Sequence, residues 1–402
     1  MVELAPPLSK SDAQRALVLA DLLGVAELIA PGEVLPRDVE VLRRGLAALQ
    51  KHEAEIDCHD GGAPFRFLLS QAALHPGHRT RFTGSPRLGE RPHGPLLQAL
   101  REALHCTIEQ GPSFWPLTLT ASPLALETQR FEVTGAESSQ FASSLLLGAA
   151  RVAHLSRKPC EVVVSGALTS AGYLELTEQW VARAGFPVTR EGQRWSVEPA
   201  PRATPFPAIP GDWSSLTYLL LLAWKHAALV SRVQLQSGHP DERFAEHLSS
   251  VGLQMVPRGA GVFAVEGTPR GGLRVDAEQC PDAVPALVAL ACVLPERSTF
   301  SRIGILRHKE SDRVEGVCDF ARRSGAIAEV DGESLSITAP AVPVTQLEFD
   351  ARDDHRLAMA SAVLSSLTGA TLSLRGAESV SKSFPQFWEQ AAKVGLQVVK
   401  RP

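Results

Sequence analysis

Lys309, Glu310 and Arg313 stand together in RHKESDR, two cations four residues apart with a carboxylate between them. Lys382 sits between two serines in VSKSFPQFW, a stretch otherwise short of charge, and Lys10 in LSKSDAQR has Arg15 five residues on. PRLGERPHG sets Arg87 and Arg91 around two prolines, a rigid loop carrying guanidiniums. Ammonium and guanidinium groups recognise phosphates and carboxylates, arginine as a planar fork. Alone, RHKESDR reads as a solvated helix face laced with ion pairs. Yet only 8 of the 40 basic residues are lysines, and three of the eight fall in these segments. So many anion binders, with few carboxylates among them, imply a substrate bearing several negative charges.

The elements that must position these groups are apolar helices. RALVLADLLG, FRFLLSQAAL, FASSLLLGAARVA, SSLTYLLLLAWKHAALV, AVPALVALACVL and RLAMASAVLSSLTGA are apolar nearly all round, as helices buried on every side are. Ser9, Lys10 and Ser11 introduce the first, Gly61, Gly62 and Arg66 the second, and Ser138, Ser139 and Gln140 the third. Asp212, Ser214 and Ser215 begin the fourth, Asp282 the fifth, and Asp354, His355 and Arg356 the sixth. A helix N-terminus presents unpaired N–H groups and a partial positive charge, so it binds anions. Serine, aspartate and glycine there are also ordinary caps. Capping does not call for Lys10, Arg15, Arg66 or Arg356, because a cation in the first turn opposes the dipole. Cations so placed point to an anion that joins them.

A second unit alternates with the buried helices: an amphipathic helix, often a glycine, then a short apolar strand. WVARAGFPVTRE breaks at Gly185, FAEHLSSVGLQMVPR at Gly252, FARRSGAIAEV at Gly325 and WEQAAKVGLQVVK at Gly395, each where a glycine past the last helical turn is expected. VLRRGLAALQKHEAEID and LLQALREALHCTIEQ repeat helix and strand without the glycine. The spacing of about 70 residues is too long for a solenoid. The pattern predicts an α/β protein of six subdomains, three in each half, with apolar helices inside, strands outside them and amphipathic helices beyond. PRATPFPAIPGD (201–212), with four prolines, is the expected inter-domain connection.

Composition excludes several classes. A formal charge of −4 argues against a general nucleic-acid or membrane-surface binder, which needs a basic excess. The longest apolar runs, 216–224 and 283–294, fall short of the roughly 20 residues that span a bilayer. The opening MVELAPPLSKSDAQR lacks a basic stretch followed by an apolar one, so no secretory signal is read and a cytoplasmic protein is expected. Six scattered cysteines without a C-x-x-C pair imply neither a disulfide framework nor a zinc site. The usual motifs of nucleotide hydrolysis, hydride transfer, zinc proteolysis and serine esterolysis are all missing.

In order along nearly the whole chain, these segments resemble the EPSP synthase (3-phosphoshikimate 1-carboxyvinyltransferase) family of enolpyruvyl transferases. LSKSDAQRALVLADLL looks like the family's S-K-S-x-x-x-R-A-L, RLGERPHGPLLQAL like R-x-x-x-R-P-x-x-x-L, and GAESSQFASSLL like S-S-Q-[FY]. GDWSSLTYLLLLA resembles G-D-x-S-S-A-x-[YF], CPDAVPALVALA the I-P-D element, HKESDR K-E-[ST]-D-R, DDHRLAMASAVL D-H-R-x-A-M, and SKSFPQFW K-[ST]-[FY]-P. K-E-S-D-R followed by D-H-R-x-A-M is specific, whereas any one segment alone is weak. The resemblance implies a two-domain inside-out α/β barrel, each domain built of three α/β subdomains with buried helices. Residues 1–8 plus 211–402 would carry the phosphoenolpyruvate and acid/base residues, residues 9–210 the shikimate 3-phosphate side, with the active site in the cleft between them. It also implies transfer of the enolpyruvyl group of phosphoenolpyruvate to the 5-hydroxyl of shikimate 3-phosphate, releasing phosphate, in the shikimate pathway. A monomer without metal or organic cofactor is expected.

Carried over by position, the resemblance puts Lys10, Arg91, Gln140 and Lys382 on the phosphate of phosphoenolpyruvate, with Gly62 letting the backbone approach, and Arg313 and Arg356 on its carboxylate. Ser11 and Arg15 would take the carboxylate side of shikimate 3-phosphate, and Ser138, Ser139 and Ser170 its phosphate. Lys10 and Gln140 count among that substrate's ligands too, Tyr173 packs near it, and Asp282 and Lys309 meet its ring hydroxyls. Glu310 is the implied acid that protonates C3 and Asp282 the implied base, with Lys10 and His355 also among the catalytic residues. Burial is expected to raise the pKa of Glu310, and that of Asp282 to suit proton acceptance.

The chain departs from the family at Asp60-Gly61-Gly62-Ala63-Pro64-Phe65-Arg66, where N-[AS]-G-T-[AT]-x-R is usual, and at Ile305, an asparagine in some members. Asp60 puts a carboxylate beside a phosphate site and Ala63 lacks a hydroxyl, so weaker phosphoenolpyruvate binding or an altered response to the inhibitor glyphosate is expected. Two other readings stand beside this one. UDP-N-acetylglucosamine enolpyruvyl transferases carry a reactive cysteine a few residues before the R-P, where this chain has Pro86 and Arg87. A non-catalytic relative that binds an anionic metabolite is the second, supported by Asp60.

Overall fold

The computed structural model describes residues 1–200 and 206–401, so part of the expected connection, residues 201–205, lies outside the described residues. The chain divides into two compact units, one of Lys10–Glu33 with Asp38–Ile209, the other of Met1–Ser9, Val34–Arg37 and Pro210–Pro402.

The first unit contains α1 (Lys10–Leu23), α2 (Arg37–Leu49), α3 (Gly62–Ala73), α4 (Pro86–Glu90), α5 (Gly94–Leu104), α6 (Ser139–Ser156) and α7 (Ala171–Arg183). α3 and α6 are apolar all round because both are enclosed, and every residue from Phe141 to Ala153 is buried. Where they touch, Ser70 and Ser144 place their hydroxyls 2.5 Å apart, and Ser144 donates to the Arg66 carbonyl at 2.6 Å. Two sheets flank them. In spatial order one runs Glu53–Asp57, Arg79–Thr83, Phe114–Thr120, Thr107–Gly111, and the other Arg130–Thr134, Cys160–Ser165, Arg194–Val197, Val188–Glu191. In each, the first two strands are parallel and joined through a buried helix, and the last two form an antiparallel hairpin.

The second unit repeats this order with α8 (Trp213–His226), α9 (Phe244–Ser250), α10 (Val284–Ala291), α11 (Arg313–Arg323), α12 (His355–Thr368) and α13 (Phe387–Lys393). Its sheets run Glu3–Leu4, Leu229–Val230, Val262–Gly267, Leu253–Gly259; Arg274–Asp276, Ser298–Ser301, Ser334–Thr338, Ile327–Asp331; and Gln346–Asp350, Thr371–Arg375, Val398–Arg401. α8, α10 and α12 form its core. Leu219, Leu220, Leu221 and Leu222 are all fully buried, covering the whole circumference of α8. Each contributes about 2 kcal/mol relative to exposure, so no face of this helix tolerates a polar residue cheaply. The six cysteines are free and buried, and burial pushes the Cys160 thiol up to about 12. Among the described residues no helix is long and apolar enough to cross a membrane.

The six expected helix pairs are present, but the described residues form five sheets, because α1 and α2 carry none. Residues 24–36 between them contain Pro31 and Pro36 and no alternating stretch. After α2 only Gln50–His52 precede Glu53–Asp57, whose register is with Arg79–Thr83 of the next repeat. The four glycines fall as read: Gly185, Gly252, Gly325 and Gly395 each follow a helix C-cap with φ between 81° and 97°. α5, lacking one, ends on His105 at φ 52°.

Gly252 and Gly395 share this left-handed backbone but not its surroundings. A Cβ on Gly252 would lie 2.9 Å from the Thr268 carbonyl oxygen, whereas nothing lies within 4 Å of one on Gly395. Gly395→Ala is expected to cost about 1 kcal/mol of backbone strain. Gly252→Ala should cost about 1 kcal/mol more, since a backbone carbonyl must also shift. Urea-denaturation midpoints of the two variants check the order.

Candidate active site

In the second unit the N-terminal ends of α10, α11 and α12 converge on one guanidinium. Arg313, 1% exposed, donates from Nη1 to Asp282 Oδ1 (2.7 Å), from Nη2 to Glu310 Oε2 (2.7 Å) and from Nε to Asp354 Oδ2 (2.8 Å). Arg356 Nη2 donates to Asp282 Oδ2 at 3.0 Å, Lys309 Nζ lies 3.8 Å from Asp282 Oδ1, and Lys382 Nζ lies 3.5 Å from Glu310 Oε1. Seven residues singled out in the sequence are thus joined in one network. Asp354 organises it, because its Oδ1 accepts from the Arg356 backbone N–H and so caps α12, while Oδ2 takes Arg313 and the Ser311 hydroxyl. His355 is fully buried at the first position of α12.

Two local readings are corrected here. Residues 309–311 form a bend rather than a helix face; α11 begins at Arg313 with Asp312 as its N-cap, and Lys309, Glu310 and Arg313 are turned inward while Arg307 and Asp312 pair at the surface. Asp282 does not cap α10, whose N-cap is Ala283, because its carboxylate is taken by the two arginines.

Burial alone would push the Arg313 guanidinium toward neutrality, but Asp354, Glu310 and Asp282 outweigh it and raise its pKa. For Asp282 burial works upward, yet Arg356, Lys309 and Arg313 together hold it well below the usual carboxylate range. Against the expectation of a pKa suited to proton acceptance, Asp282 is therefore a weak base while it holds these cations. Behind it lies Asp241, a buried carboxyl that the sequence reading did not single out. Its Oδ2 accepts from the Ser214 hydroxyl at 2.5 Å, and burial raises its pKa.

The first unit holds its cations differently. Arg91, the C-cap of α4, lies over Gly62 so closely that a Cβ there would sit 2.6 Å from its Nη1. Gly62 opens α3, whose N-cap Gly61 provides no side-chain hydrogen bond. The buried Arg91 Nε has no partner among the described residues. Arg66, read as a cation awaiting an anion, instead donates to Gln140 Oε1 (2.6 Å) and the Pro92 carbonyl (2.8 Å) and lies over the Phe141 ring. It is a brace between α3, α6 and the Arg91 segment. Ser138 caps α6 by accepting from the Gln140 N–H at 3.3 Å, and Ser139 is buried behind it.

Arg15, 3% exposed, donates to Thr177 Oγ1 and to the carbonyls of Ser11 and Tyr173, leaving two of a guanidinium's five N–H donors. Burial lowers its pKa to about 10, so it stays charged at neutral pH. Lys10 Nζ meets Asp38 Oδ2 at 3.3 Å in the first turn of α2. Ser170, the N-cap of α7, has φ 51° and a buried hydroxyl with no partner among the described residues. Asp60 and Ile305 are half-buried.

A model of the family EPSP synthase (3-phosphoshikimate 1-carboxyvinyltransferase) matches residues 2–391. A protein of Methanoculleus marisnigri named 3-phosphoshikimate 1-carboxyvinyltransferase is 35% identical, with 98% of this chain and 96% of that one covered. One of the same name from Methanopyrus kandleri is 33% identical, with 98% and 90% covered. Among solved structures, EPSP synthase from Acinetobacter baumannii superposes with a TM-score of 0.72 at 20% identity, covering 98% and 96%. An enolpyruvyl transferase from Streptomyces tendae gives 0.69 at 13% identity, covering 99% and 95%. These likenesses establish the two-domain inside-out α/β fold of EPSP synthases.

The site also carries a pH dependence of stability. His93 Nε2–H donates to the Leu88 carbonyl at 2.8 Å, and burial, helped by Arg66 and Arg91, lowers its pKa to about 3. The unfolded chain takes up this proton near the ordinary pKa of about 6.5, while the folded protein resists it down to about 3. Stability from this group is thus complete above 6.5 and falls with pH, by up to about 1.4 kcal/mol per unit. His93→Phe is expected to flatten the stability profile between pH 6 and 4 by about one proton, measured by urea denaturation at successive pH values.

Proposed function

The chain belongs to the EPSP synthase family, and from that premise we propose that it transfers the enolpyruvyl group of phosphoenolpyruvate to the 5-hydroxyl of shikimate 3-phosphate. The observation that carries this reading is the Arg313 network, in which four cations are held by the two carboxylates that the reaction needs as acid and base. The carboxylate of phosphoenolpyruvate would exchange with Asp282 and Glu310 on Arg313 and Arg356. Its phosphate would be held by Lys10, Arg91, Gln140 and Lys382, with Gly62 leaving room for Arg91. Shikimate 3-phosphate would take Ser11, Arg15 and Tyr173 at one end, Ser138, Ser139 and Ser170 at its phosphate, and Asp282 and Lys309 at its hydroxyls.

Asp282, relieved of its arginines, would accept the proton of the 5-hydroxyl as that oxygen adds to C2, while Glu310, protonated from solvent once phosphoenolpyruvate draws Arg313 and Lys382 off it, gives that proton to C3. The product is a tetrahedral ketal. Glu310 then takes a proton back from C3 as the C2–O bond to phosphate breaks, and Asp282 returns its proton to the leaving group. Both carboxylates end as they began. Cations already fixed around the reacting carbons stabilise the charge that develops there without reorganising. A cytoplasmic monomer without metal or organic cofactor belongs to the same reading.

Phosphate release from phosphoenolpyruvate tests it. One phosphate per enolpyruvyl product is expected with shikimate 3-phosphate, and none with UDP-N-acetylglucosamine or without an acceptor; no release with shikimate 3-phosphate would overturn the reading. Glu310→Gln should lower kcat at least about 100-fold, and full activity would remove Glu310 from the acid role. Ser170→Ala removes a buried hydroxyl that has no protein partner among the described residues, so the thermal midpoint should hold or rise slightly. The KM for shikimate 3-phosphate should nonetheless rise about tenfold, as for a lost hydrogen bond to a charged group.

A further inference from the structure

Arg91 has no carboxylate or carbonyl paired with its guanidinium among the described residues, so packing of its segment has to hold it over Gly62. That segment is α4, five residues long and too short to persist alone. We infer that Trp115 is the positioning residue that fixes α4 and, through it, Arg91; the inference rests on the proposal that Arg91 binds the phosphate of phosphoenolpyruvate.

Trp115 lies on the neighbouring strand Phe114–Thr120, and its Nε1–H donates to the Ser85 carbonyl at 2.9 Å. Ser85 is the N-cap of α4, its hydroxyl accepting from the Leu88 N–H at 3.2 Å. The indole also reaches the far end of α4. A Cβ on Gly84 would lie 2.8 Å from the indole, and one on Gly89 would lie 2.9 Å from its Nε1. Two glycines at either end of α4 thus make room for a single ring. On its other side Trp115 meets the Phe65 ring edge-on at 5.1 Å. Phe65 belongs to α3, the helix that Gly62 opens. The contacts therefore form a closed circuit, from α3 through Trp115 to α4 and Arg91, and back to Gly62 on α3. His93 seals the C-terminal side, bonded to the Leu88 carbonyl and set against Phe65 and Phe114.

Steady-state kinetics with both substrates, alongside thermal denaturation, test this. Trp115→Ala should raise the KM for phosphoenolpyruvate about tenfold, with kcat within about threefold and the KM for shikimate 3-phosphate within about twofold. Trp115→Phe keeps a ring and loses only the N–H, so it should raise the same KM about threefold; it carries the comparison if the alanine variant does not fold. Arg91→Lys is the control and should raise the KM for phosphoenolpyruvate at least about tenfold. If Arg91→Lys leaves that KM unchanged, the assignment of Arg91 fails and the inference with it. If Arg91→Lys raises it while folded Trp115 variants do not, or shift both KM values and kcat alike, Trp115 is ordinary packing and the inference alone is overturned.

Discussion

Arg313 must be charged, and it is 1% exposed. Such a group survives inside a protein only if well-placed acceptors surround it, here carboxylates, and removing one partner of a buried pair typically costs about 3–5 kcal/mol. That constraint explains much of the second unit. Two neighbouring α/β repeats deliver three carboxylates to the same guanidinium: Asp282 ahead of α10 and Glu310 ahead of α11 from one, and Asp354 ahead of α12 from the next. Of the buried helices, α10 and α12 are tied together at their N-terminal ends by this one residue. The same carboxylates pair with Arg356, Lys309 and Lys382, so the site keeps its cations without a ligand and without leaving one unbalanced. On the proposed reading, an incoming anion would exchange with a protein carboxylate instead of entering an empty positive cavity.

The first unit solves the same problem by other means. Arg66 and Arg15 are buried against backbone carbonyls, amide or hydroxyl oxygens and aromatic faces, with Gln140, Pro92 and Phe141 around one and Thr177, Ser11, Tyr173 and Phe67 around the other. Neutral acceptors satisfy a guanidinium without cancelling its charge. These arginines therefore set the geometry of nearby groups. Arg91 over Gly62 and the hydroxyl of Ser170 are places where, among the described residues, the protein leaves donors without partners of their own. Unmet polar groups of this kind are costly for stability, so each calls for an explanation, which the proposed substrates would supply.

Much of this is legible in the residues, for identifiable reasons. Helices apolar on every side have no other home than a core. Glycine past a helix end reports a backbone conformation that other side chains resist, which is a local demand. Cations in a first helical turn conflict with the dipole, so they stand out in the chain by position alone. The partners of those cations do not, because they are distant in the chain. Asp38 lies 28 residues from Lys10, Asp354 lies 41 from Arg313, and Thr177 lies 162 from Arg15. Arg66 shows the limit plainly, since no spacing rule tells a guanidinium that meets a ligand from one that meets a carbonyl. The sheet absent beside α1 and α2 leaves no trace either, since the strand after α2 looks like a repeat until its register is known.

The central claim is that substrate anions replace protein carboxylates on Arg313 and Arg356. A crystal structure of the protein with phosphoenolpyruvate and shikimate 3-phosphate bound tests it most directly. The account predicts that both guanidiniums donate to the carboxylate of phosphoenolpyruvate and that the contact between Arg356 and Asp282, 3.0 Å here, opens beyond hydrogen-bond range. Phosphoenolpyruvate bound away from both arginines, with their bonds to Asp282 and Glu310 intact, would contradict it.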